Sequence, residues 1–325
     1  MGTKEKLLAL FEENKGTYFS GEDIAEKLAV SRTAVWKAVN SLRDEGYCID
    51  AVQNKGYCLS INTDILSAQG IQKYLTPVCS DIELTVLPSV DSTNALVREK
   101  AASGACEGYT VIANMQTKGK GRIGRSFFSP SDTGIYMSLL LRPLNYSPQQ
   151  AVKITTMAAV AACEAIEAVS NEKAQIKWVN DIYIRGKKVS GILTEASFGL
   201  ENGFLDYAVL GIGINVYPPK DGFPKELQGI AGAVFRESHN DGKNHLAAEF
   251  LNHFMAYYVE REKADYVDKY RSRSLVIGKE IQVLFSDCQK KATALDIDKD
   301  CRLIVKYEDG NIESLSSGEI SVRLS

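Results

Sequence analysis

Between positions 118 and 125 the chain reads Lys-Gly-Lys-Gly-Arg-Ile-Gly-Arg, glycine alternating with cations directly after the apolar stretch 108–116. Neither a helix nor a strand interior favours so many glycines, so the run predicts a loop leaving a strand. Bare backbone N–H groups and positive side chains in such a loop suit an anion, either phosphate or carboxylate. Alone, the same run would also serve as a flexible solvated loop, and the surrounding pattern has to decide between the two.

At 325 residues, with 45% hydrophobic and 24% charged residues, the chain can bury more than one core, and two or three domains are expected. The start, Met1-Gly2-Thr3-Lys4-Glu5-Lys6, has no hydrophobic signal core. The longest apolar stretch, 157–163, is alanine-rich and ends at Glu164. The expectation is a soluble, cytoplasmic protein with no membrane segment. Seven scattered cysteines without C-x-x-C spacing argue for reduced thiols over a disulfide frame or zinc site. His239, His245 and His253 match no H-E-x-x-H pattern, which favours surface or helix positions over metal ligation.

The first sixty residues read as a separate unit of three amphipathic helices. Leu7, Leu8, Leu10 and Phe11 mark the first, and Ser20 with Asp23 three residues on opens the second. Ser31 opens the third, with Val35, Val39 and Leu42 turned inward and Arg32, Thr33, Lys37 and Asn40 left outside. Two strand-like pieces, 47–52 and 57–61, then flank a turn carrying Lys55. This is the grammar of a winged helix-turn-helix. Residues 1–60 hold eight Lys/Arg against nine Asp/Glu, so any DNA affinity rests on the local cations Arg32, Lys37, Arg43 and Lys55. A winged helix that binds protein remains the alternative at this point.

The middle of the chain carries the polar chemistry. Asp91-Ser92-Thr93-Asn94 opens a helix, where Ser92 or Asp91 serves as N-cap and also offers polar groups to a ligand. Strand-like 109–113 feeds the glycine-cation loop. A strand at 135–141 follows, then a long buried helix at 151–169. Residues 176–184 and 188–195 read as two strands joined at Arg185-Gly186, bringing Asn180, Asp181 and Lys188 to one mouth. Read blandly, Lys187 and Lys188 only solubilise that hairpin. Gly211-Ile212-Gly213 lacks the third glycine and following helix of a dinucleotide fingerprint, which disfavours a Rossmann fold.

Together, Asp91-Ser92-Thr93-Asn94, Gly119-Lys120-Gly121-Arg122 through Ser129-Pro130, Lys177-Trp178-x-Asn180-Asp181, Lys188-x-x-Gly191-Ile192-Leu193 and Gly211-Ile212-Gly213-Ile214-Asn215 resemble the biotin protein ligases. With the amino-terminal unit, the resemblance extends over essentially the whole chain, to the bifunctional members that are both ligase and biotin-operon repressor. It implies an α+β fold: a winged helix-turn-helix over 1–64, a central mixed β-sheet with helices, class II synthetase-like, over 65–273, and an SH3-like β-barrel over 274–325. It implies that biotin and ATP, with Mg2+, form biotinyl-5'-AMP, and that the biotinyl group passes to a lysine of the biotin carboxyl carrier protein of acetyl-CoA carboxylase. Biotinyl-AMP is then corepressor at operator DNA of biotin genes, with a homodimer in the adenylate-bound state.

Position by position, the resemblance gives Ser92, Thr93, Asn94, Gln116, Lys120, Gly121, Arg122 and Lys188 to biotin, and Arg122, Arg125, Phe128, Lys177, Asn180, Asp181 and Asn215 to the nucleotide. Asp181 is placed near the metal. Lys188 and Arg122 are the catalytic candidates, and Arg32, Thr33, Lys37, Asn40 and Lys55 the DNA contacts. The chain departs from many relatives at Lys120, a point charge where they carry the bidentate fork of arginine. A lipoate ligase and a ligand-sensing repressor with a decayed catalytic domain are the rival readings.

Overall fold

The computed structural model describes residues 2–143, 146–199, 203–261, 265–285, 288–316 and 321–324. Residues 317–320, part of the segment expected as an SH3-like β-barrel, lie outside that set. The chain forms two compact units, one of Met1–Leu75 with Glu237–Ala248 and one of Thr76–Arg236 with Glu249–Ser325. The carboxy-terminal strands, expected as a third domain, fall within the second unit.

In the first unit, α1 (Thr3–Glu13), α2 (Gly21–Leu28) and α3 (Arg32–Asp44) precede the antiparallel pair β1 (Ile49–Val52) and β2 (Gly56–Leu59), with α4 (Ala68–Gln72) after them. Leu7, Phe11, Ile24, Val35, Val39, Leu42 and Leu59 meet in one core, as the helical spacing dictates. The Ser20–Asp23 capping box forms, with reciprocal bonds of 3.0 and 3.2 Å, and Ser31 caps α3 by accepting from the Ala34 N–H at 3.1 Å. Arg43 has a structural use. Its Nε and Nη2 donate to the Ile49 carbonyl at 3.0 and 2.6 Å, tying β1 to α3.

A closed ring of charges braces this unit. Lys15 Nζ stands 3.1 Å from Glu12 and 2.9 Å from Asp241, while Lys73 Nζ stands 2.9 Å from Glu12 and 2.5 Å from Asp241. Each ammonium thus faces both carboxylates, which offsets the cost of burying all four. Burial alone would raise the Asp241 carboxyl, but bonds from Lys73, Asn244 and Lys15 outweigh it and hold it below its ordinary value.

The second unit is built on a seven-stranded mixed sheet. Its strands are β3 (Glu83–Leu87), β4 (Tyr109–Ala113), β5 (Gly134–Leu141), β6 (Gln175–Lys177), β7 (Asp181–Ile184), β8 (Lys187–Phe198) and β9 (Leu205–Asn215), in spatial order β3-β4-β5-β9-β8-β7-β6. Only β3 and β4 pair in parallel; the other neighbours are antiparallel. Every residue of β5 is buried, which is why it reads as a continuous apolar run and not as an alternating one. The helices α5 (Thr93–Ala102) and α6 (Pro148–Ser170) accompany the sheet. Val97 and Ala101 of α5 pack with Val111, Leu140 and Val209.

The segment 176–184, expected as one strand, folds into β6, a turn and β7. Trp178 and Val179 leave the sheet there. The Trp178 indole donates to the Cys301 carbonyl at 3.0 Å, and the Tyr270 hydroxyl donates to the Val179 carbonyl at 2.9 Å. After α7 (Gly242–Val259) and α8 (Val267–Ser272) come β10 (Glu280–Leu284), β11 (Gln289–Ile297), β12 (Leu303–Tyr307), β13 (Ile312–Leu315) and β14 (Ser321–Leu324). They form a five-stranded antiparallel sheet ordered β13-β12-β11-β10-β14. No helix among the described residues is long and apolar enough to cross a membrane.

Candidate functional site

One end of the site is the start of α5. Ser92 is its N-cap, accepting from the Ala95 N–H at 3.5 Å, and Ser92, Thr93 and Asn94 are all nearly buried. The Thr93 N–H and hydroxyl both reach Gln116 Oε1, at 2.9 and 3.1 Å. Gln116 Nε2 donates on to Ser129 Oγ at 3.0 Å. Ser138, fully buried on β5, lies 2.7 Å from Thr93 Oγ1 and 2.6 Å from Asn94 Oδ1. Asn94 Nδ2 donates to Glu195 at 2.8 Å. Such a network fixes the direction of every donor and acceptor before a ligand arrives.

Ser92, Thr93, Asn94 and Gln116 line a small open cavity, which also takes in Lys120, Phe127, Met137, Gly191, Leu193, Gly211, Ile212 and Gly213. A concave site, apolar on one side with a few directed polar groups on the other, is what a small amphipathic ligand needs. Two glycines on β9 make room for it. A methyl group at Gly211 would run into the Asn94 side chain, and one at Gly213 into the Phe127 ring.

The glycine-cation run is an ordered loop folded back on itself. The Gly121 N–H donates to the Arg125 carbonyl at 2.7 Å, and the Phe127 N–H to the Gly119 carbonyl at 2.9 Å. At its base Lys118 stands 2.8 Å from Asp91, and this bond, with one from Thr117, holds the Asp91 carboxyl below its usual range. The loop sends Arg122 toward β7: its Nη1 donates to Asn180 Oδ1 at 3.1 Å, while Asn180 Nδ2 donates to the Ile192 carbonyl at 2.8 Å. Burial pulls the Arg122 guanidinium below its ordinary pKa, and the nearby Asp181 partly restores it.

Lys188 Nζ meets Asp181 Oδ1 at 2.6 Å. The two sides of the site adjoin at Gly191. A methyl added there would stand 3.3 Å from Lys188 Nζ and 3.3 Å from the Phe127 ring. Asn215 ends β9 and donates to the Gly232 carbonyl at 3.0 Å, and Lys177 faces Asp181 across β6 and β7.

Of the sequence candidates, Ser92, Thr93, Asn94, Gln116 and Lys120 line the cavity. Arg122, Asn180, Asp181 and Lys188 gather beside it, and Arg125 is exposed on the loop. Phe127, which the sequence reading did not single out, also lines the cavity, and its backbone N–H donates to the Gly119 carbonyl. Sequence reasoning also passed over Met137 and Ser138, which read only as part of a buried strand. Among the described residues no group of three or more His, Cys, Asp and Glu could hold a metal ion.

Residues 86–215 match the model of the biotin/lipoate A/B protein ligase family, residues 3–58 an HTH domain, and residues 276–323 the biotin protein ligase C-terminal domain. A bifunctional ligase/repressor, BirA, of Bacillus spizizenii is 34% identical, over 98% of this chain and 98% of the relative. The BirA of Escherichia coli is 29% identical, over 98% and 96%. Among solved structures, the Aquifex aeolicus biotin protein ligase in complex with biotin and ATP superposes with a TM-score of 0.62 at 27% identity, covering 75% of this chain and 99% of that one. The end-to-end match to a bifunctional ligase/repressor, together with the ligase and HTH models matched along this chain, places it in the family of bifunctional biotin ligase/repressors.

Proposed function

We propose that the chain activates biotin with ATP to biotinyl-5'-AMP and passes the biotinyl group to one lysine of the biotin carboxyl carrier protein of acetyl-CoA carboxylase, acting in the cytoplasm. The observation that carries this reading is the adjacency of a hydrogen-bonding cavity to a cationic pair, Lys188 and Arg122. Ser92, Thr93, Asn94 and Gln116 suit a ureido ring, which offers donors and acceptors but no charge. Lys120 and Gly121 belong to the covering loop.

Activation brings a carboxylate up to a triphosphate, so the first task is to overcome the repulsion of two anions. Lys188 neutralises the carboxylate and the growing charge at the α-phosphate, and Arg122 holds the phosphate side. The carboxylate oxygen attacks the α-phosphorus, the bond to the β-phosphate oxygen breaks, and pyrophosphate leaves. The neutral amine of the acceptor lysine then attacks the acyl carbon of the mixed anhydride; the C–N bond forms, the acyl C–O bond breaks, AMP departs and the amine's proton is lost to water. No nucleophilic side chain of this chain is required. Arg125, Phe128, Lys177, Asn180, Asp181 and Asn215 are assigned to the nucleotide's surroundings. A single carboxylate, Asp181, suits a Mg2+ ion held chiefly by phosphate oxygens and water, which would screen the triphosphate charge.

The division of labour we read is DNA binding in 1–64, chemistry in 65–273 and support in 274–325. Arg32, Thr33, Lys37, Asn40 and Lys55 would meet operator DNA of biotin genes, with biotinyl-AMP as corepressor and a homodimer presenting two half-site readers. Arg32 is available: its partner Glu22 stands at 4.0 Å, and both side chains are well exposed. The test is incubation with Mg-ATP, a carrier domain and either biotin or lipoate, read by the mass of the acceptor. Modification with biotin alone supports the reading. Modification with lipoate alone, or none, overturns it.

A further inference from the structure

We infer that Trp36 is a base-reading residue, whose indole enters the major groove and packs on the 5-methyl group of a thymine. The inference rests on the DNA-binding reading above and goes beyond it.

The chain has two tryptophans. Trp178 is 4% exposed and its indole N–H is bonded to a carbonyl. Trp36 is 56% exposed, the largest aromatic surface left open on α3. Stepping about 100° per residue along that helix puts Val35, Ala38, Val39 and Leu42 on the core arc and Arg32, Trp36, Asn40, Thr33 and Lys37, in that angular order, on the outer one. Trp36 therefore sits between Arg32 and Asn40, inside the polar face and not at the rim of the core.

Charge selects the occupant of that face. From Arg32 to Arg43 the helix carries Lys37 and no acid, and its N-terminus adds a partial positive charge. A polyanion fits this surface. A recognition helix contacts base edges with its N-terminal residues, and Trp36 is the fifth residue of α3. Cations there fix the register on phosphates but do not read sequence. The indole supplies what they lack: an apolar face for a thymine methyl and one N–H for a purine N7 or carbonyl acceptor.

The test begins with the full chain, supplied with biotin and Mg-ATP, selecting duplexes from a random-sequence pool. Each thymine of the selected duplex is then replaced singly by uracil, which deletes only the methyl. Wild type should lose about fourfold in affinity at one or two positions, the scale of one buried methyl-sized group. Trp36→Ala should bind the selected duplex on the order of tenfold more weakly and be indifferent to uracil at those positions, while still biotinylating a carrier domain, which shows that it is folded. Trp36→Phe should restore sensitivity to the methyl. Equal uracil penalties in wild type and Trp36→Ala, or unchanged affinity of Trp36→Ala, would overturn the inference. So would unaltered methyl reading in a Trp36→Ala protein that no longer self-associates, since the indole would then be a protein contact. If wild type selects no sequence at all, it is the DNA-binding reading that fails.

Discussion

Lys188 Nζ rests 2.6 Å from Asp181 Oδ1 at the edge of the cavity, so the cation proposed to receive the biotin carboxylate already has a carboxylate partner. Ligand binding then exchanges one anionic partner for another and leaves no ammonium desolvated without a counter-charge. Removing the resident competitor should show this. Asp181→Asn is expected to tighten biotin binding a few-fold in the absence of ATP, by calorimetry, while slowing adenylate formation. Weaker biotin binding in that variant would mean that Asp181 orients Lys188 and does not compete for it.

The Arg122–Asn180 bond links the glycine-cation loop to the turn that leads into β7, and backbone bonds from Gly121 to Arg125 and from Phe127 to Gly119 fold the loop on itself. Arg122→Ala should release that tie. Single-turnover experiments are expected to show biotinyl-AMP dissociating faster, on the order of tenfold for the loss of one charge-assisted hydrogen bond of about 1.5–3 kcal/mol. Unchanged retention would remove the covering role.

Steric closure of the cavity offers a check independent of charge. Gly213→Val would drive a branched side chain into the Phe127 ring, and Gly211→Ala would displace Asn94 from Ser138 and Glu195. Both should weaken biotin binding by two orders of magnitude or so, the penalty of an unpaired buried polar group or a filled pocket. Amide exchange in α1 to α3 should be unchanged, because the substitutions lie outside the first unit.

The charge ring of Glu12, Lys15, Lys73 and Asp241 gives the first unit a stability that depends on pH. Asp241 is held below its unfolded value, so its contribution is present above about pH 4 and is lost as pH falls through the lower folded value. Burial would lower Lys73, but Asp241 and Glu12 raise it overall, so its contribution is present below the ordinary lysine pKa and is lost as pH rises through the higher folded value. Lys73→Met should destabilise this unit by about 3–5 kcal/mol, the cost of leaving a buried carboxylate short of its partner. Urea unfolding followed by amide exchange in α1 measures it, and a change under 1 kcal/mol would show the ring to be idle.

Much of this was legible in the chain before any coordinates. The three amino-terminal helices followed from apolar spacing and from Ser20 and Ser31 as caps, and several central strands followed from their apolar runs, while their arrangement as a mixed sheet came only from the resemblance. What the sequence hid had long-range causes. The break at Trp178 depends on Cys301 and Tyr270, far along the chain. That Phe127 lines the cavity depends on how the loop folds back, with its N–H on the Gly119 carbonyl. The charge ring joins positions more than two hundred residues apart, and no local pattern announces it. Arg43 looked like one more groove-facing cation until the Ile49 carbonyl claimed it.

The most direct measurement is biotin-dependent exchange of labelled pyrophosphate into ATP by wild type and Lys188→Ala. Wild type should exchange label only when biotin is present, and the variant should be slower by on the order of 10²-fold or more, the scale of losing one fixed donor at the developing charge. Exchange by Lys188→Ala at the wild-type rate, or no exchange by the wild-type protein, would contradict the account.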